Sequence, residues 1–239
     1  MVMRTVAIKN FLALRTHPDL AALYNHDMEV QVNVGQCGGQ KVDGEYNGVK
    51  WLGWSDGITT WKPFRIPWNA STSPTYEDSE IHYDLDKYAE GIGLTGWDWK
   101  SKLSRWCAYD FDAITGHSER HQKKLSNEEL KQLKDAVSLI PWVTVRSSTS
   151  GSGLHLYVFL QTPVPTITHT EHAALARAIL GLMSAMSGQD LQAKIDACGQ
   201  NMWIWHKKMI GTSGLTVLKS GIPLDKVPPN WRDHLDVVS

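Results

Sequence analysis

From residue 28 to residue 34 the chain alternates strictly. Met28, Val30, Val32 and Val34 are apolar, and Glu29, Gln31 and Asn33 between them are polar. A period of two predicts a half-buried strand. The first 25 residues carry a helical pattern instead, with Pro18 suited to a first helical position after His17. Gln36-Cys37-Gly38-Gly39 marks a turn, and Asp43-Gly44 and Asn47-Gly48 carry hairpin chemistry. Strands are predicted over Val49–Trp54 and Thr60–Ile66, and a loop over Asn69–Asp78. A strand is also predicted through Trp106-Cys107-Ala108-Tyr109-Asp110-Phe111-Asp112. Ser126 and Glu129 have the spacing of a capping box, and Leu130, Leu133, Val137 and Ile140 follow at helical intervals until Pro141. Trp142–Arg146 and Leu154–Leu160 read as a hairpin around a Ser/Gly turn. Thr168 and Glu171 cap a second helix, with Leu175, Ile179, Leu182 and Met186 inward and Gly188 as its stop. Met202–His206 reads as a further strand. Few helices and several short strands in this order predict an α+β fold, a small antiparallel sheet covered by helices.

Composition narrows the class. The chain has 239 residues and 42% hydrophobic content, enough for one large domain or two small ones. No run approaches the ~18–20 apolar residues of a membrane helix, and the first residues lack the apolar core of a signal peptide. The expectation is a soluble, cytoplasmic protein. Its polar, Pro-containing end from Lys219 to Ser239 suggests a longer natural protein. The three cysteines, Cys37, Cys107 and Cys198, form no Cys-x-x-Cys pair, which removes zinc knuckles and disulfide frameworks. Cys107 alternates with Tyr109 and Phe111 and reads as a buried thiol. A net charge of −1 argues against a large nucleic-acid footprint. The basic clusters at Lys62–Arg65, His121–Lys124 and His206–Lys208 suit a small one. Most of the 11 tryptophans are expected in packing, with a few free to stack on bases.

Two segments concentrate chemistry. Asp110 and Asp112 are two apart on one strand and so share a face. Two adjacent carboxylates repel unless a cation lies between them, although acidic pairs on solvated edges also exist. Thr149-Ser150-Gly151-Ser152-Gly153-Leu154-His155 offers a Ser/Gly turn whose backbone N–H groups suit an anion. A divalent-cation pair opposite a phosphate turn outlines phosphoryl or nucleotidyl transfer. His117, Glu119 and His121 have no partner pair and read as a solvated loop. His169 and His172, at a helix start, suggest no chemistry.

These islands resemble the archaeo-eukaryotic primase superfamily, in particular its primase-polymerase branch. Asp110-Phe111-Asp112 matches that family's first motif, and Thr149-Ser150-Gly151-Ser152-Gly153-Leu154-His155-Leu156-Tyr157 its second. Ile195-Asp196 matches the third. His155 lies 43 residues after Asp112 and Asp196 lies 41 after His155, in the family's order. The upstream Glu90–Gly96 segment is similar to the Gly-rich lead-in, and the resemblance spans Trp61 to Thr212. It implies an RNA-recognition-motif-like catalytic sheet at 105–239 joined to an N-terminal α/β module at 1–104.

The same resemblance implies template-directed nucleotidyl transfer. Asp110, Asp112 and Asp196 would hold two Mg²⁺ or Mn²⁺ ions. His155, Gly153 and either Ser150 or Ser152 would grip the triphosphate. Gly153 stands where the family has Ser, two residues before the histidine, and the turn lacks the lysine some relatives carry. Arg146, Lys62, Arg65 and Lys207 are the candidate substitutes. The implied partners are single-stranded DNA template and primer, an NTP or dNTP, and a fused or separate helicase. The alternatives are an Asp-x-Asp metal-dependent phosphatase and a non-catalytic replication-initiator or single-strand-binding module. The phosphatase motif wants Thr or Val two residues after the second aspartate, where this chain has Ile114.

Overall fold

The structure, a computed structural model, describes residues 29–33, 45–46, 49–50, 61–65, 75–77, 82–84, 91–98, 101–113, 124–148, 151–195, 197–199, 202–206 and 217–235. The expected N-terminal helices, the turn at 36–39 and the cluster of His117, Glu119 and His121 lie outside these residues. The chain divides into two compact units, Met1–Leu94 with Trp203–Lys207, and Thr95–Met202 with Lys208–Ser239.

The first unit contains β1 (Glu29–Asn33), β2 (Glu45–Tyr46), β3 (Val49–Lys50), β4 (Trp61–Arg65), β5 (Thr75–Glu77), β6 (His82–Asp84) and β7 (Gly91–Leu94). The alternating segment forms β1, which pairs antiparallel with β4 and β7. β2 and β3 pair with Tyr46 opposite Val49, on either side of Asn47-Gly48. One expectation is corrected. Thr75–Glu77 lies in the stretch read as loop, yet it pairs with β6, Tyr76 opposite Tyr83. A three-residue strand is too short to show a period, and neighbouring serines and prolines hide it.

The second unit carries β8 (Trp97–Asp98), β9 (Leu103–Phe111), α1 (Asn127–Ser138), β10 (Thr144–Ser147), β11 (Leu154–Pro165), α2 (His169–Ser187), α3 (Leu191–Lys194) and β12 (Ala197–Cys198). β13 (Met202–His206) follows in the chain and, from Trp203 on, belongs to the first unit; β14 (Val217–Lys219) and a 3-10 turn at Trp231–His234 are again in the second. Its six-stranded sheet runs β12-β9-β11-β10-β14, with β8 also on β9. Every one of its pairings is antiparallel. The fold is thus α+β. β13 forms where the sequence places a strand, and it joins the sheet of β7, β1 and β4. Periodicity marks a strand but not the sheet that takes it.

Register explains the core. Cys107 faces Val158, Tyr109 faces Leu156 and Phe111 faces Leu154 across β9 and β11. These residues share one face and pack with Leu130, Leu133 and Val137 of α1 and with Leu175, Ile179 and Met183 of α2. Each such side chain contributes about 1.5–3 kcal/mol when fully buried. The Tyr109 hydroxyl donates to the Ala176 carbonyl at 2.8 Å, tying sheet to helix. The capping box of α1 is present, with Ser126 and Glu129 satisfying each other's backbone N–H. The inward stripe of α2 differs from the expected one. Met186 is 51% exposed and Met183 is buried instead. Apolar residues occupy most sides of this helix, so spacing alone does not fix its buried face.

The C-terminal segment is a strap across this unit. β14 pairs with β10. Leu224 then bonds both ways across β11, its N–H to the Phe159 carbonyl at 2.7 Å and its carbonyl accepting from Gln161 at 2.9 Å. Gly221 passes so close that a Cβ there would lie 2.6 Å from the Val143 backbone. Trp231 ends the strap inside the core cluster.

Candidate active site

The sheet face opposite the helices carries the polar residues. Arg146 of β10 is opposite His155 of β11, His155 is opposite Asp110 of β9, and Asp110 is opposite Ala197 of β12. Directly opposed residues on antiparallel strands share a face. The register therefore lays Arg146, His155 and Asp110 in one row across three adjacent strands. His155 Nε2 lies 3.5 Å from Asp110 Oδ1. Two segments 45 positions apart in the chain (110 and 155) meet at this contact.

Burial grades along the row. The Arg146 side chain is fully buried, His155 is 3% exposed, and Asp110 is 22% exposed. Asp112, just past the end of β9, is 8% exposed. Burial, and secondarily the charge of Arg146, push His155 down to about 3. The imidazole is consequently neutral near pH 7, with one N–H donor and one acceptor nitrogen. Arg146 Nη1 lies 3.4 Å from Tyr157 Oη. The Tyr157 ring meets His155 edge-on at 6.5 Å and stacks on Phe159 at 6.5 Å. Burial raises the Tyr157 phenol above its usual value, partly opposed by Arg146.

The turn between β10 and β11 closes on Ser148. The Ser148 N–H donates to the Gly153 carbonyl at 2.9 Å, and Gly151 N–H donates to the Ser148 carbonyl at 2.8 Å. Gly153 N–H donates to Ser148 Oγ at 2.9 Å. The N–H groups of Gly151 and Gly153 are thus engaged within the turn. Gly151 has φ +80°, a left-handed conformation that glycine adopts without strain. Sequence reading looks for the anion-facing serine at Ser150 or Ser152 and passes over Ser148. The signal available is a hydroxyl residue five positions before a glycine at the mouth of a hairpin.

Among the other expected site residues, Ser152 is half-buried in this turn. Ser150, Asp196 and Lys207 lie outside the described residues. Ala197, which follows Asp196 in the chain, is the register partner of Asp110. Lys62 and Arg65 stand on β4 of the first unit, opposite Val32 and Glu29. No group of three His, Cys, Asp or Glu residues is gathered for a metal ion among the described residues. The donors at the end of β9 are two carboxylates, hard oxygen ligands of the kind Mg²⁺ and Mn²⁺ accept. In that respect the residues present fit the ions.

His172 belongs elsewhere. Its Nδ1 is 2.7 Å from Ser104 Oγ, which is 2.7 Å from Thr166 Oγ1. This buried network joins the start of β9, the end of β11 and α2. Burial is the first cause that pushes His172 down to about 3, with His169 second.

No family model matches the chain, and no curated protein matches it. Among solved structures it is similar to the polymerase domain from Mycobacterium tuberculosis Ligase D in complex with DNA. That likeness has 14% sequence identity and a TM-score of 0.35, covering 96% of this chain and 82% of that chain.

Proposed function

We propose that this chain is a nucleotidyltransferase that joins nucleotides on a single-stranded DNA template, a DNA primase-polymerase. The observation that carries the reading is the Asp110–His155 contact. Two motifs separated in sequence become register partners, with Nε2 and Oδ1 3.5 Å apart. Asp110 and Asp112, with Asp196 as the third carboxylate, would hold two Mg²⁺ or Mn²⁺ ions. Such ions, when bound, favour the deprotonated primer 3′-hydroxyl and offset the charge developing on the leaving pyrophosphate.

The chain's own residues do the rest. His155 would hold a phosphate oxygen through a ring N–H. Its ring meets Tyr157 edge-on. Asp110 is the most exposed member of the row, so a ligand meets the carboxylate first and the imidazole behind it. Ser150 or Ser152 adds a hydroxyl contact to the triphosphate. Lys62, Arg65 and Lys207 are further candidates for that charge. The incoming nucleotide is an NTP or dNTP, and the nucleic-acid partner is template with primer. A helicase, fused or separate, would supply the single strand.

The test is incorporation on primed and unprimed templates, with each nucleotide class, in Mg²⁺ and in Mn²⁺. Template-dependent extension with pyrophosphate release is expected. Release of phosphate from small phosphomonoesters without template, or template binding with no incorporation under any condition, overturns the proposal.

A further inference from the structure

Where β9 begins, β11 ends and α2 starts, three buried polar side chains meet. His172 Nδ1 lies 2.7 Å from Ser104 Oγ, which lies 2.7 Å from Thr166 Oγ1. His172 is 1% exposed, and Ser104 and Thr166 are fully buried. The two hydroxyl residues also anchor the hairpin of β8 and β9. Trp97 is the register partner of Ser104, and its Nε1 donates to the Thr166 carbonyl at 3.0 Å. The Thr166 N–H donates to the Lys102 carbonyl at 2.9 Å, and the Arg105 N–H donates to the Gly96 carbonyl at 2.9 Å. Lys102 turns the hairpin with φ +56°, a left-handed conformation that strains a residue carrying a Cβ. The bond from Thr166 therefore ends on a strained residue. Thr95 is the first residue of the second unit, so this hairpin is the segment through which the chain enters it.

The group that meets His172 Nδ1 is a neutral hydroxyl. A proton gained by the ring is thus not matched by a negative charge at that contact. The charged groups on the surrounding elements are already placed. Asp98 is paired with Arg105 at 3.9 Å on the hairpin, and Glu171 of α2 with Arg232 of the strap at 3.9 Å. Lys102 Nζ stands 5.2 Å over the Trp97 ring. His169, one turn before His172 on α2, has its ring 5.9 Å from that of His172 and edge-on to Trp97 at 5.6 Å. Its charge, when present, adds to the cost of charging His172. We infer that Ser104, His172 and Thr166 form a proton-operated latch: when His172 gains a proton, the hairpin of β8 and β9 opens, while the pairing of β9 with β11 beyond Trp106 stays closed. The closed latch excludes the proton and the open one admits it. Closure is therefore complete above about pH 6.5 and weakens as pH falls towards 3.

The test is residue-resolved hydrogen exchange of the whole chain at about pH 7 and about pH 4.5, in low concentrations of urea. Protection factors remove the pH dependence of intrinsic exchange. Between the two pH values, the Arg105 and Thr166 amides are expected to lose about tenfold or more in protection. Their opening at about pH 4.5 is expected to depend little on urea, as a local event exposes little surface. The amides of residues 107–111 of β9 are expected to exchange only through an opening with the steep urea dependence of global unfolding. In His172→Gln, which cannot titrate, the pH-dependent loss at Arg105 and Thr166 is expected to shrink to less than about twofold.

Equal protection and equal urea dependence for both sets of amides at about pH 4.5 overturn the inference, because the hairpin then opens only with the whole unit. A loss of parent size in His172→Gln overturns it as well, by placing the proton on another group. If His172→Gln does not fold, Ser104→Ala takes its place. With the hydroxyl gone, protection at Arg105 and Thr166 is expected to fall by about tenfold already at pH 7, with little urea dependence. Parent-like protection in Ser104→Ala overturns the inference, and so does failure of both variants to fold, which would make the three residues part of the folding core.

Discussion

Ser148 Oγ accepts the Gly153 N–H at 2.9 Å, and the Cβ that Gly153 lacks would lie 2.5 Å from the Phe111 carbonyl oxygen. One clasp therefore fixes the turn to itself and to the strand end between Asp110 and Asp112. Ser148→Ala removes the acceptor of a buried N–H and is expected to cost about 1–3 kcal/mol. Gly153→Ala forces a methyl against backbone that cannot swing away, at an expected cost of about 1–3 kcal/mol or more. Urea unfolding of both variants measures this. Parent-like stability of Gly153→Ala would mean that the turn does not approach β9 this closely.

How much of this was legible in the sequence depends on the range of the interaction. The capping box at Ser126 and Glu129, the hairpin flanking Gly153 and the strand through Asp110 are local patterns, and each is where it was read. The Asp110–His155 contact needed the pairing of β9 with β11, which no local period specifies. Family resemblance put the two motifs in one site, whereas register shows which atoms meet. Ser148 was missed because its role is a bond across a loop. Arg146 was named as a possible phosphate contact, but its complete burial is a tertiary fact that composition does not carry. The sheet taken by β13 was equally invisible, since edge pairing depends on which partner is free.

If Asp110 and Asp112 hold the proposed ions, Asp110→Asn and Asp112→Asn are each expected to lower template-directed incorporation by about 10²-fold or more, because a carboxylate charge that would offset a divalent ion is gone. Asp110 is partly exposed, so thermal stability of Asp110→Asn is expected to hold or rise as like-charge repulsion is relieved. Primer-extension rates and melting curves on the same preparations check both halves. Near-normal extension by either variant removes that residue from the site.

Acid should destabilise the second unit through two buried histidines, His155 and His172, and His172 is the one outside the candidate site. Its folded value is pushed down to about 3, against an ordinary value of about 6.5. The unfolded chain therefore binds a proton over this interval that the folded one excludes. The stability contributed by neutral His172 is complete above about pH 6.5. It is lost progressively as pH falls towards 3, by up to about 1.4 kcal/mol per pH unit. His172→Gln keeps a polar partner for Ser104 and cannot titrate. Denaturant midpoints at about pH 7 and about pH 4.5 should converge for this variant relative to the parent. An unchanged slope would place the acid sensitivity in other groups.

Cys107 and Cys198 are buried, and burial raises both thiols, Cys198 to about 12 with Arg177 opposing slightly. A thiol held protonated and out of solvent is a poor nucleophile. Neither is expected to react with an alkylating reagent at neutral pH until the protein unfolds, with peptide mapping assigning each site. Cys198 ends the short edge strand β12, so it is expected to label before Cys107, which lies inside β9. Rapid labelling of Cys107 in the native protein would contradict the packing of this core.

The edge strand β12 also offers a test of the third carboxylate. Ala197 opposes Asp110 in register, and Gly199 donates to the Ala108 carbonyl at 3.0 Å. Gly199 has φ +67°, and a Cβ there would lie 2.7 Å from the Ala176 side chain. Gly199→Ala is therefore strained in two ways, by its left-handed backbone and by contact with α2. It is expected to lose about 1–3 kcal/mol of stability and to shift β12 along β9, lowering incorporation without removing any polar group. Asp196→Asn removes one charge and leaves the backbone alone. If Asp196 is the third carboxylate, this variant should melt as the parent does, lose turnover strongly and need more Mg²⁺ or Mn²⁺ for half activity. Nucleotide affinity should change little. The two variants thus separate geometry from charge: Gly199→Ala moves stability and turnover together, and Asp196→Asn moves only turnover and metal dependence. Unchanged metal dependence in Asp196→Asn would reduce that residue to a turn residue after α3, and the pair at the end of β9 would have to hold the ions without it.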